Sequence, residues 1–209
     1  MEELNNMLLK YPALSRCKAN ILEAFHLLKE TYKNGGKVLV CGNGGSAADS
    51  EHIVGELMKS FMIKRKLPGA MRDKLAAVSP DGYFIGENLE GALPAISLVS
   101  QSSLISAFSN DVSSDMVFAQ QVYGYAKPGD CLIGLSTSGN AKNVIYAAYT
   151  AKAMNMKTIA ITGQSGGDLK EICDVTINVP SQSTPEIQEY HLPIYHTLCM
   201  MIEREFFTD

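Results

Sequence analysis

Residues 37–46 read Lys-Val-Leu-Val-Cys-Gly-Asn-Gly-Gly-Ser, and they predict the class of fold. Residues 37–41 form a short apolar run without polar–apolar alternation, which is typical of a strand buried on both faces of a sheet. A tight loop follows at residues 42–46, and residues 47–59 can form a helix. A strand, a glycine-rich loop and a helix in this order are the repeating unit of α/β proteins with a parallel sheet.

The same unit recurs in the second half of the chain. Residues 131–135 are again an uninterrupted apolar run, followed by a loop at 136–140 and a helical pattern at 141–154. A third unit begins with a strand at 157–161, and its glycine-containing loop leads into a short helix from Asp168. Right-handed crossovers place the loops of all such units at the carboxyl edge of one sheet. We therefore predict an α/β three-layer sandwich with a central parallel sheet.

The rest of the chain extends this sheet into one domain of residues 1–209, with residues 1–36 as an N-terminal helical extension. The remaining predicted elements are helices at residues 14–34 and 186–207 and a strand at residues 175–179. Residues 61–94 are an insertion without a readable pattern. Two interpretations of it are open, namely a lid over a ligand-binding site and a surface excursion unrelated to ligand.

The composition is that of an ordinary globular protein, with 46% apolar and 19% charged residues. A formal charge of −4 weighs against direct binding of nucleic acid, because nucleic-acid binders usually present a basic face. The five cysteines are odd in number and form no Cys-x-x-Cys pair, which favours reduced thiols and a cytoplasmic location. We see neither a signal-peptide pattern after Met1 nor an apolar run near the ~20 residues of a membrane span.

Two of the loops carry hydroxyl groups and glycines where a phosphate group would bind. Glycine lets the backbone approach an anion closely, and a helix N-terminus offers free N–H groups to it. Ser46 in the first loop and Ser136, Thr137 and Ser138 in the second add side-chain donors. Helix capping explains either loop alone, but two such loops in one small chain favour a phosphorylated ligand.

A dinucleotide site is the competing interpretation of the first loop, since Gly42-x-Gly44-x-x-Ala47 fits a loose dinucleotide fingerprint. That fingerprint needs a second strand ending in Asp or Glu about twenty residues further on, and no such strand is clear here. Neither loop is followed by the lysine of a P-loop. Both observations disfavour a nucleotide.

Taken together, the two loops resemble the signature loops of the sugar isomerase (SIS) domain, and the chain resembles its phosphoheptose isomerase branch. The segments that carry the resemblance are Cys-Gly-Asn-Gly-Gly-Ser-Ala at 41–47, Leu-Ser-Thr-Ser-Gly-Asn at 135–140, Ser-Asn-Asp at 109–111 and Ile-Gln-Glu-Tyr-His at 187–191, with His196 beyond it. This resemblance implies a flavodoxin-like sandwich and a homotetramer with active sites at subunit interfaces. It further implies conversion of sedoheptulose 7-phosphate into the aldose heptose 7-phosphate, often with bound zinc.

Carried over by position, the resemblance also implies residue roles. The substrate-binding residues would be Asn43, Gly44, Gly45, Ser46, Glu56, Asn110, Asp111, Ser136, Thr137, Ser138 and Gln188. The zinc ligands would be His52, Glu56, Gln188 and His196, and the catalytic pair would be Glu56 and His196.

Helix geometry limits which of these four residues can bind one metal ion. His52 and Glu56 are four residues apart, so a helix puts both on one face, and imidazole and carboxylate are ordinary zinc ligands. Gln188 and His196 are eight residues apart, about 12 Å along a straight helix. One metal reaches both only if it lies between them, if Pro193 kinks the helix, or if two chains contribute.

Two other histidines have different expected roles. His191 lies near Gln188 in the sequence and is a rival ligand for the metal. His26 belongs to the amphipathic N-terminal helix and is expected to be structural.

The chain departs from the family pattern at four places. Ser60 stands where the family often has Arg, Ala141 where Ser is common, and Pro185 where an acidic residue is usual. The segment between Glu56 and Asn110 is longer than in the family. All four lie near the sugar end of the expected site, so they leave phosphate binding intact and leave the identity of the sugar open.

Two alternatives to a heptose isomerase stay open. One is a non-catalytic SIS protein that senses a sugar phosphate or docks onto a partner such as the DnaA initiator. The other is an enzyme acting on a hexose or amino-sugar phosphate. In each case a homo-oligomer is expected, because apolar faces on the terminal helices favour burial between chains. These faces comprise Ile21, Phe25 and Leu28 near the N-terminus and Ile194, Leu198, Met201 and Ile202 near the C-terminus.

Overall fold

A five-stranded parallel sheet forms the centre of the protein in the computed structural model, which describes residues 1–207. The strands are β1 (Val38–Gly42), β2 (Ala95–Ser97), β3 (Cys131–Ser136), β4 (Lys157–Thr162) and β5 (Val175–Asn178). Their order across the sheet is β2-β1-β3-β4-β5. The order reverses between β1 and β3, and a crevice opens at such a switch point beyond the carboxyl ends of the strands.

Ten α-helices and two short 3₁₀ segments surround the sheet in the described part of the chain. The helices are α1 (Glu2–Lys10), α2 (Lys18–Lys33), α3 (Gly45–Met58), α4 (Gly69–Val78), α5 (Gly82–Asn88), α6 (Ser102–Asp111), α7 (Val117–Tyr125), α8 (Lys142–Ala153), α9 (Leu169–Ile172) and α10 (Thr184–Phe206). The 3₁₀ segments are Pro12–Cys17 and Ser114–Met116.

Successive side chains of each strand enter two different cores, which confirms the three-layer sandwich. Val38 and Val40 pack into a core with α1, α2, α3 and α10, whereas Leu39 and Cys41 pack into a second core with α7 and α8. Side chains alternate across a strand, so an apolar run without alternation fills both layers.

Several predicted boundaries differ from the observed ones. The predicted helix at 14–34 begins with a 3₁₀ turn, and α2 proper starts at Lys18. Helices α3 and α10 each begin two residues earlier than predicted, at Gly45 and Thr184. Both shifts matter because they place loop residues in the first turn of a helix.

The apolar faces of the terminal helices are covered within the chain, so the packing reason given for an oligomer was wrong. Ile21 and Ile202 are fully buried, and Leu28 and Leu198 are each 3% exposed. Helix α10 packs against α1, α2 and α3, which together cover these side chains.

The insertion at residues 61–94 contains a helical hairpin. Helices α4 and α5 pack against each other, and α4 buries none of its residues. An antiparallel bridge between Lys66 and Glu90 closes the base of the hairpin, where the N–H of Gly91 also donates to the carbonyl of Arg65. The hairpin therefore has a fixed base and an exposed body.

Within residues 1–207, no helix combines the length and the apolar character that crossing a bilayer requires.

Candidate active site

A pocket of about 310 Å³ lies at the switch point between β1 and β3. Its walls come from the loops after these two strands and from the first turn of α10. The lining residues are Asn43, Gly44, Gly45, Ser46, Leu135, Ser136, Thr137, Ser138, Ala141, Thr184 and Gln188. Of the eleven predicted substrate-binding residues, eight lie in this pocket. A ninth, Glu56, lies farther along α3.

Three helices begin at this pocket. Gly45 is the first residue of α3, Ala141 is the N-cap of α8, and Thr184 is the first residue of α10. The expectation that Ala141 lies at the sugar end was wrong, because it lines this pocket. Helix N-termini carry unpaired N–H groups and the positive end of the helix dipole. The side chains of Ser46 and Ser136 are almost buried beside them, at 3% and 5% exposure. This combination suits a dianionic phosphate group.

The glycines of the first loop are needed for its geometry. Gly44 has φ +56°, a left-handed conformation that residues with a side chain rarely adopt. A Cβ atom on Gly45 would collide with the side-chain amide of Gln188. The loop thus lets α10 approach α3 closely and puts the Gln188 amide against the pocket.

The second loop is supported by the loop after β4. Gly139 has φ +70° and packs directly on the backbone of Gly166 and Gly167, leaving no room for a Cβ atom. The Asn140 side chain accepts a hydrogen bond from the N–H of Asp168 at 2.9 Å. These contacts hold Ser136, Thr137 and Ser138 in place, although β4 itself supplies no pocket residue.

An amide pair joins the first loop to the first turn of α8. The side-chain amide of Asn43 donates to Asn143 at 2.9 Å, and that of Asn143 donates back to Asn43 at 2.9 Å. Asn143 belongs to the first turn of α8 and was not singled out in the sequence. Thr184 was also missed, because the predicted helix began two residues too late; the Thr-Pro start of α10 was the available signal.

A second group of polar side chains lies farther along α3, where His52, Glu56 and His196 come together. His52 Nε2 is 3.3 Å from Glu56 Oε1 and 3.4 Å from His196 Nε2. Glu56 is 9% exposed, and its other carboxylate oxygen accepts a hydrogen bond from Lys59 Nζ at 3.2 Å. Helix α10 brings His196 to this point because its apolar face packs on α3.

The protonation of His196 follows from its surroundings. Burial lowers the pKa of His196, and the neighbouring His52 lowers it further, against an opposing effect of Glu56. His196 is therefore a neutral imidazole at neutral pH. A neutral ring can accept a proton, donate one, or bind a metal through its free nitrogen.

The spacing of these atoms can be compared with a zinc site. A tetrahedral zinc ion with bonds of about 2.0–2.1 Å separates its ligand atoms by about 3.3–3.4 Å. The His52–Glu56 and His52–His196 distances both have this value. Among residues 1–207, however, no three His, Cys, Asp or Glu side chains already form a complete metal-binding cluster. The two pairwise distances match those between zinc ligands, whereas the three side chains together do not form a preformed metal site.

Gln188, the fourth residue of the predicted metal set, lies in the phosphate pocket against Gly45. His191, the rival ligand, is fully buried and points into the interior, where neither ring nitrogen meets a hydrogen-bond partner in the described chain. Burial lowers the pKa of His191 to about 4. His26, expected to be structural, is exposed on α2.

Asn110 and Asp111 lie apart from both groups. They end helix α6, both are exposed, and the Asn110 amide donates to the Asp111 carboxylate at 2.9 Å. Neither lines the pocket at the switch point.

The insertion contacts the second group through residues near its N-terminal end. The Phe61 ring packs on the His196 ring with centroids 5.3 Å apart. The hairpin itself forms a separate cleft with residues 64–67, and none of the residues lining that cleft also lines the phosphate pocket.

Comparison with known protein families places these features in context. A family model described as the SIS domain matches residues 7–78 and 87–163. The break between the two matched ranges falls within the helical hairpin.

Individual proteins match over most of the chain. A phosphoheptose isomerase of Akkermansia muciniphila is 35% identical over 94% of this chain and 91% of its own length. One of Aliarcobacter butzleri is 40% identical over 88% of this chain and 84% of its own. Among solved structures, the phosphoheptose isomerase GmhA of Neisseria gonorrhoeae superposes with a TM-score of 0.71 at 31% identity, covering 95% of this chain and 97% of that one.

Proposed function

Because this chain belongs to the SIS domain family and, within it, to the phosphoheptose isomerases, we propose that it interconverts sedoheptulose 7-phosphate and the aldose heptose 7-phosphate. The observation that carries the proposal is one helix, α3, that begins at a phosphate pocket and presents a carboxylate and an imidazole about two to three turns later. At 1.5 Å per residue, Ser46 is about 9 Å from His52 and about 15 Å from Glu56 along the axis. A long sugar chain spans this separation better than a triose does.

The reaction moves a hydrogen between two neighbouring carbons. A base removes a proton from C1 of the ketose, the C1–C2 double bond forms, and O2 takes a proton to give the enediol. Loss of the O1 proton and return of a proton to C2 then give the aldose. The base must stay beside both carbons, and a positioned carboxylate can serve both steps.

Glu56 is the proposed base and His196 its partner. Glu56 is largely shielded from water, and Lys59 Nζ holds one of its carboxylate oxygens, which orients the carboxylate. His196, neutral and next to the same group, can donate a proton to the sugar oxygen that becomes negative as C1 is deprotonated. The phosphate pocket meanwhile fixes the other end of the chain, so that C1 and C2 meet Glu56 in one orientation.

Zinc is a proposed cofactor, with His52, Glu56 and His196 as its ligands. Gln188, which the resemblance implied as a fourth ligand, lies in the phosphate pocket instead. Bound there, the ion would polarise the sugar oxygens as a Lewis acid. The residue types and the two atom spacings support the proposal.

A homotetramer is proposed on the family resemblance. One surface feature supports a partner at the site. A groove of about 470 Å³ runs between α1 and α10, and His196 lies on its wall together with Met62 and Leu192. A second chain in this groove would cover the part of the site around His196, where the reacting carbons of the sugar are proposed to bind. Light scattering at micromolar concentration tests the assembly, and a monomer mass would contradict it.

A cytoplasmic location is proposed from the cysteines. All five thiols are free, and Cys41 and Cys199 are fully enclosed by the core. Burial raises the pKa of the Cys199 thiol to about 12, so this group stays protonated and unreactive. Such thiols are typical of a reducing compartment.

The role of residues 61–94 is still open between the lid and the surface excursion. Phe61 beside His196 supports a wall at the base of the segment, whereas the separate cleft of the hairpin supports an excursion beyond it. Hydrogen exchange with and without sugar phosphate separates the two. Protection that rises through α4 and α5 on binding would support the lid, and protection unchanged throughout 61–94 would exclude it.

The function itself is tested by proton exchange in deuterated solvent. Incubation with sedoheptulose 7-phosphate should give heptose 7-phosphate that carries deuterium at C2. A sensor would raise the melting temperature on binding the sugar without exchanging its C1 hydrogen. Hexose and pentose phosphates serve as comparison substrates, and faster exchange with one of them would reassign the sugar.

A further inference from the structure

A buried tyrosine lies behind the imidazole of His52. Tyr195 is the residue before His196 on α10 and is 2% exposed. Its hydroxyl oxygen is 3.0 Å from His52 Nδ1 and 3.1 Å from Asp49 Oδ1. The chain of contacts therefore runs from Asp49 through Tyr195 to His52.

The number of protons shared by Asp49, Tyr195 and His52 fixes the direction of each hydrogen bond between them. A carboxylate only accepts, so the single phenolic proton of Tyr195 is donated to Asp49. The phenolic oxygen is then left as an acceptor, and the hydrogen of the second bond must come from His52 Nδ1. A neutral His52 with its proton on Nδ1 carries its free lone pair on Nε2.

That free nitrogen is the atom that faces the reactive groups. His52 Nε2 is the atom that lies 3.3 Å from the Glu56 carboxylate and 3.4 Å from His196. The ring of His52 also packs edge-on against the Tyr195 ring, with centroids 5.5 Å apart and an interplanar angle of 72°. The hydrogen bond thus selects the tautomer while the ring contact fixes the plane.

We propose that Tyr195, backed by Asp49, is a positioning residue that holds His52 in the Nδ1–H tautomer with Nε2 free and directed at Glu56 and His196. The tautomer is a property of the protein itself. Its effect on zinc affinity and on turnover rests on the function proposed above.

The first test reads the tautomer directly. Nitrogen-15 NMR of the metal-free protein at pH 8, where an ordinary histidine is neutral, distinguishes a protonated from a free ring nitrogen. The chain has four histidines, so single substitutions assign the signals. We expect His52 of the wild type to be protonated on Nδ1, and Tyr195→Phe to give a mixture of both tautomers.

The second test measures zinc affinity by competition with a chromogenic chelator. Removing the partner of a metal-binding histidine typically weakens metal binding or activity about 10- to 100-fold, and we expect this loss for Tyr195→Phe. Asp49→Asn, which keeps an acceptor but removes the charge, should give a smaller loss. Tyr32→Phe is the matched control, because it removes a buried phenolic oxygen that has no partner in residues 1–207.

Turnover gives a third readout. Tyr195 does not line the phosphate pocket, so Tyr195→Phe should lower kcat about 10-fold or more and change KM less than twofold. Melting curves confirm that the variant is folded.

The possible outcomes distinguish a failure of this inference from a failure of the proposed function. A wild type without isomerase activity but with His52 protonated on Nδ1 would end the proposed function and leave the inference standing. A Tyr195→Phe protein with an unchanged tautomer and with zinc affinity within twofold of the wild type would overturn the inference, whatever its activity.

Discussion

Arg65 and Glu203 form an ion pair from which solvent is fully excluded, with Arg65 Nε 2.8 Å from Glu203 Oε1 and both side chains at 0% exposure. The same guanidinium donates to the carbonyls of Leu57 at 2.6 Å and Glu56 at 2.9 Å, in the last turn of α3, where carbonyls have no partner within the helix. The Glu203 carboxylate accepts hydrogen bonds from the backbone N–H groups of residues 61–63. The pair therefore joins α3, which carries Glu56, to α10, which carries His196, at the base of the insertion.

Arg65→Met is expected to lower the free energy of unfolding by about 3–5 kcal/mol, because it leaves the Glu203 charge buried without its partner. Chemical denaturation measures the loss. Arg72→Met is the matched control, since Arg72 pairs with Glu87 at 2.8 Å on the surface, where an ion pair contributes about 1 kcal/mol or less. Equal losses in the two variants would contradict the structural role of the buried pair.

Glu56→Gln is expected to keep affinity for the sugar phosphate and to slow exchange of the C1 hydrogen at least ~100-fold, the low end for one general acid–base group. Affinity should survive because Glu56 is not among the residues that line the phosphate pocket. Calorimetry measures binding and NMR measures exchange. Near-normal exchange in a folded, ligand-binding variant would remove Glu56 from the chemistry.

Zinc removal should abolish catalysis without affecting phosphate binding. After dialysis against a strong chelator, we expect isomerase activity to be lost and inorganic phosphate to bind with unchanged affinity, because the pocket is built from loops and helix N-termini. Added zinc should restore turnover. Full activity in protein shown by elemental analysis to be metal-free would exclude zinc as a cofactor.

Asn143→Ala should weaken binding of the phosphate end. The reciprocal Asn43–Asn143 amide pair holds the pocket residue Asn43 against α8, and loss of such a contact costs about 1 kcal/mol, equal to about a fivefold rise in KM. We expect little change in kcat. Asn5→Ala, on the exposed side of α1, is the control, and an equal KM effect in both variants would show that the amide pair does not order the loops.

His191 should make stability depend on pH. Burial lowers its pKa to about 4 from the ordinary 6.5, so between these values the unfolded chain binds a proton that the folded chain does not. Its contribution is therefore neutral above pH 6.5 and increasingly destabilising as the pH falls towards 4, by about 3 kcal/mol in full.

Replacement of His191 by leucine should remove this part of the pH dependence, measured as the difference in unfolding free energy between variant and wild type from pH 7 to pH 4. His26→Gln, at an exposed position on α2, serves as the control. Parallel curves for wild type and His191→Leu would contradict the prediction.

Much of the architecture could be predicted because it is local in the sequence. The apolar run before Gly42 and the one before Thr137 each predicted a buried strand, and each was followed by its loop and helix. Strand β2 was missed because it is only three residues long, too short for periodicity to show. The helices of the insertion were missed, although Met71, Leu75 and Val78 recur at helical spacing within α4.

The candidate site was likewise predictable where its residues are close in the sequence and not where they are far apart. The phosphate pocket follows from two loops whose residues are adjacent in the chain, and parallel strands must bring those loops to one edge. Asn143 was not found, because its partner Asn43 is a hundred residues away and nothing local distinguishes it from any helix residue. Tyr195 likewise fits the apolar stripe of α10, and only the structure places its hydroxyl between Asp49 and His52.

Local sequence was enough to predict the four longer strands, the order of strand, loop and helix, and the two phosphate loops, because backbone propensity and side-chain alternation act over a few residues. The tertiary structure alone decided that Arg65 meets Glu203, that Tyr195 stands behind His52, and that Gln188 turns to the pocket while His196 turns to Glu56. These choices depend on how α10 packs across α3. Packing of two helices is set by the shape of both surfaces at once, which no single stretch of sequence contains.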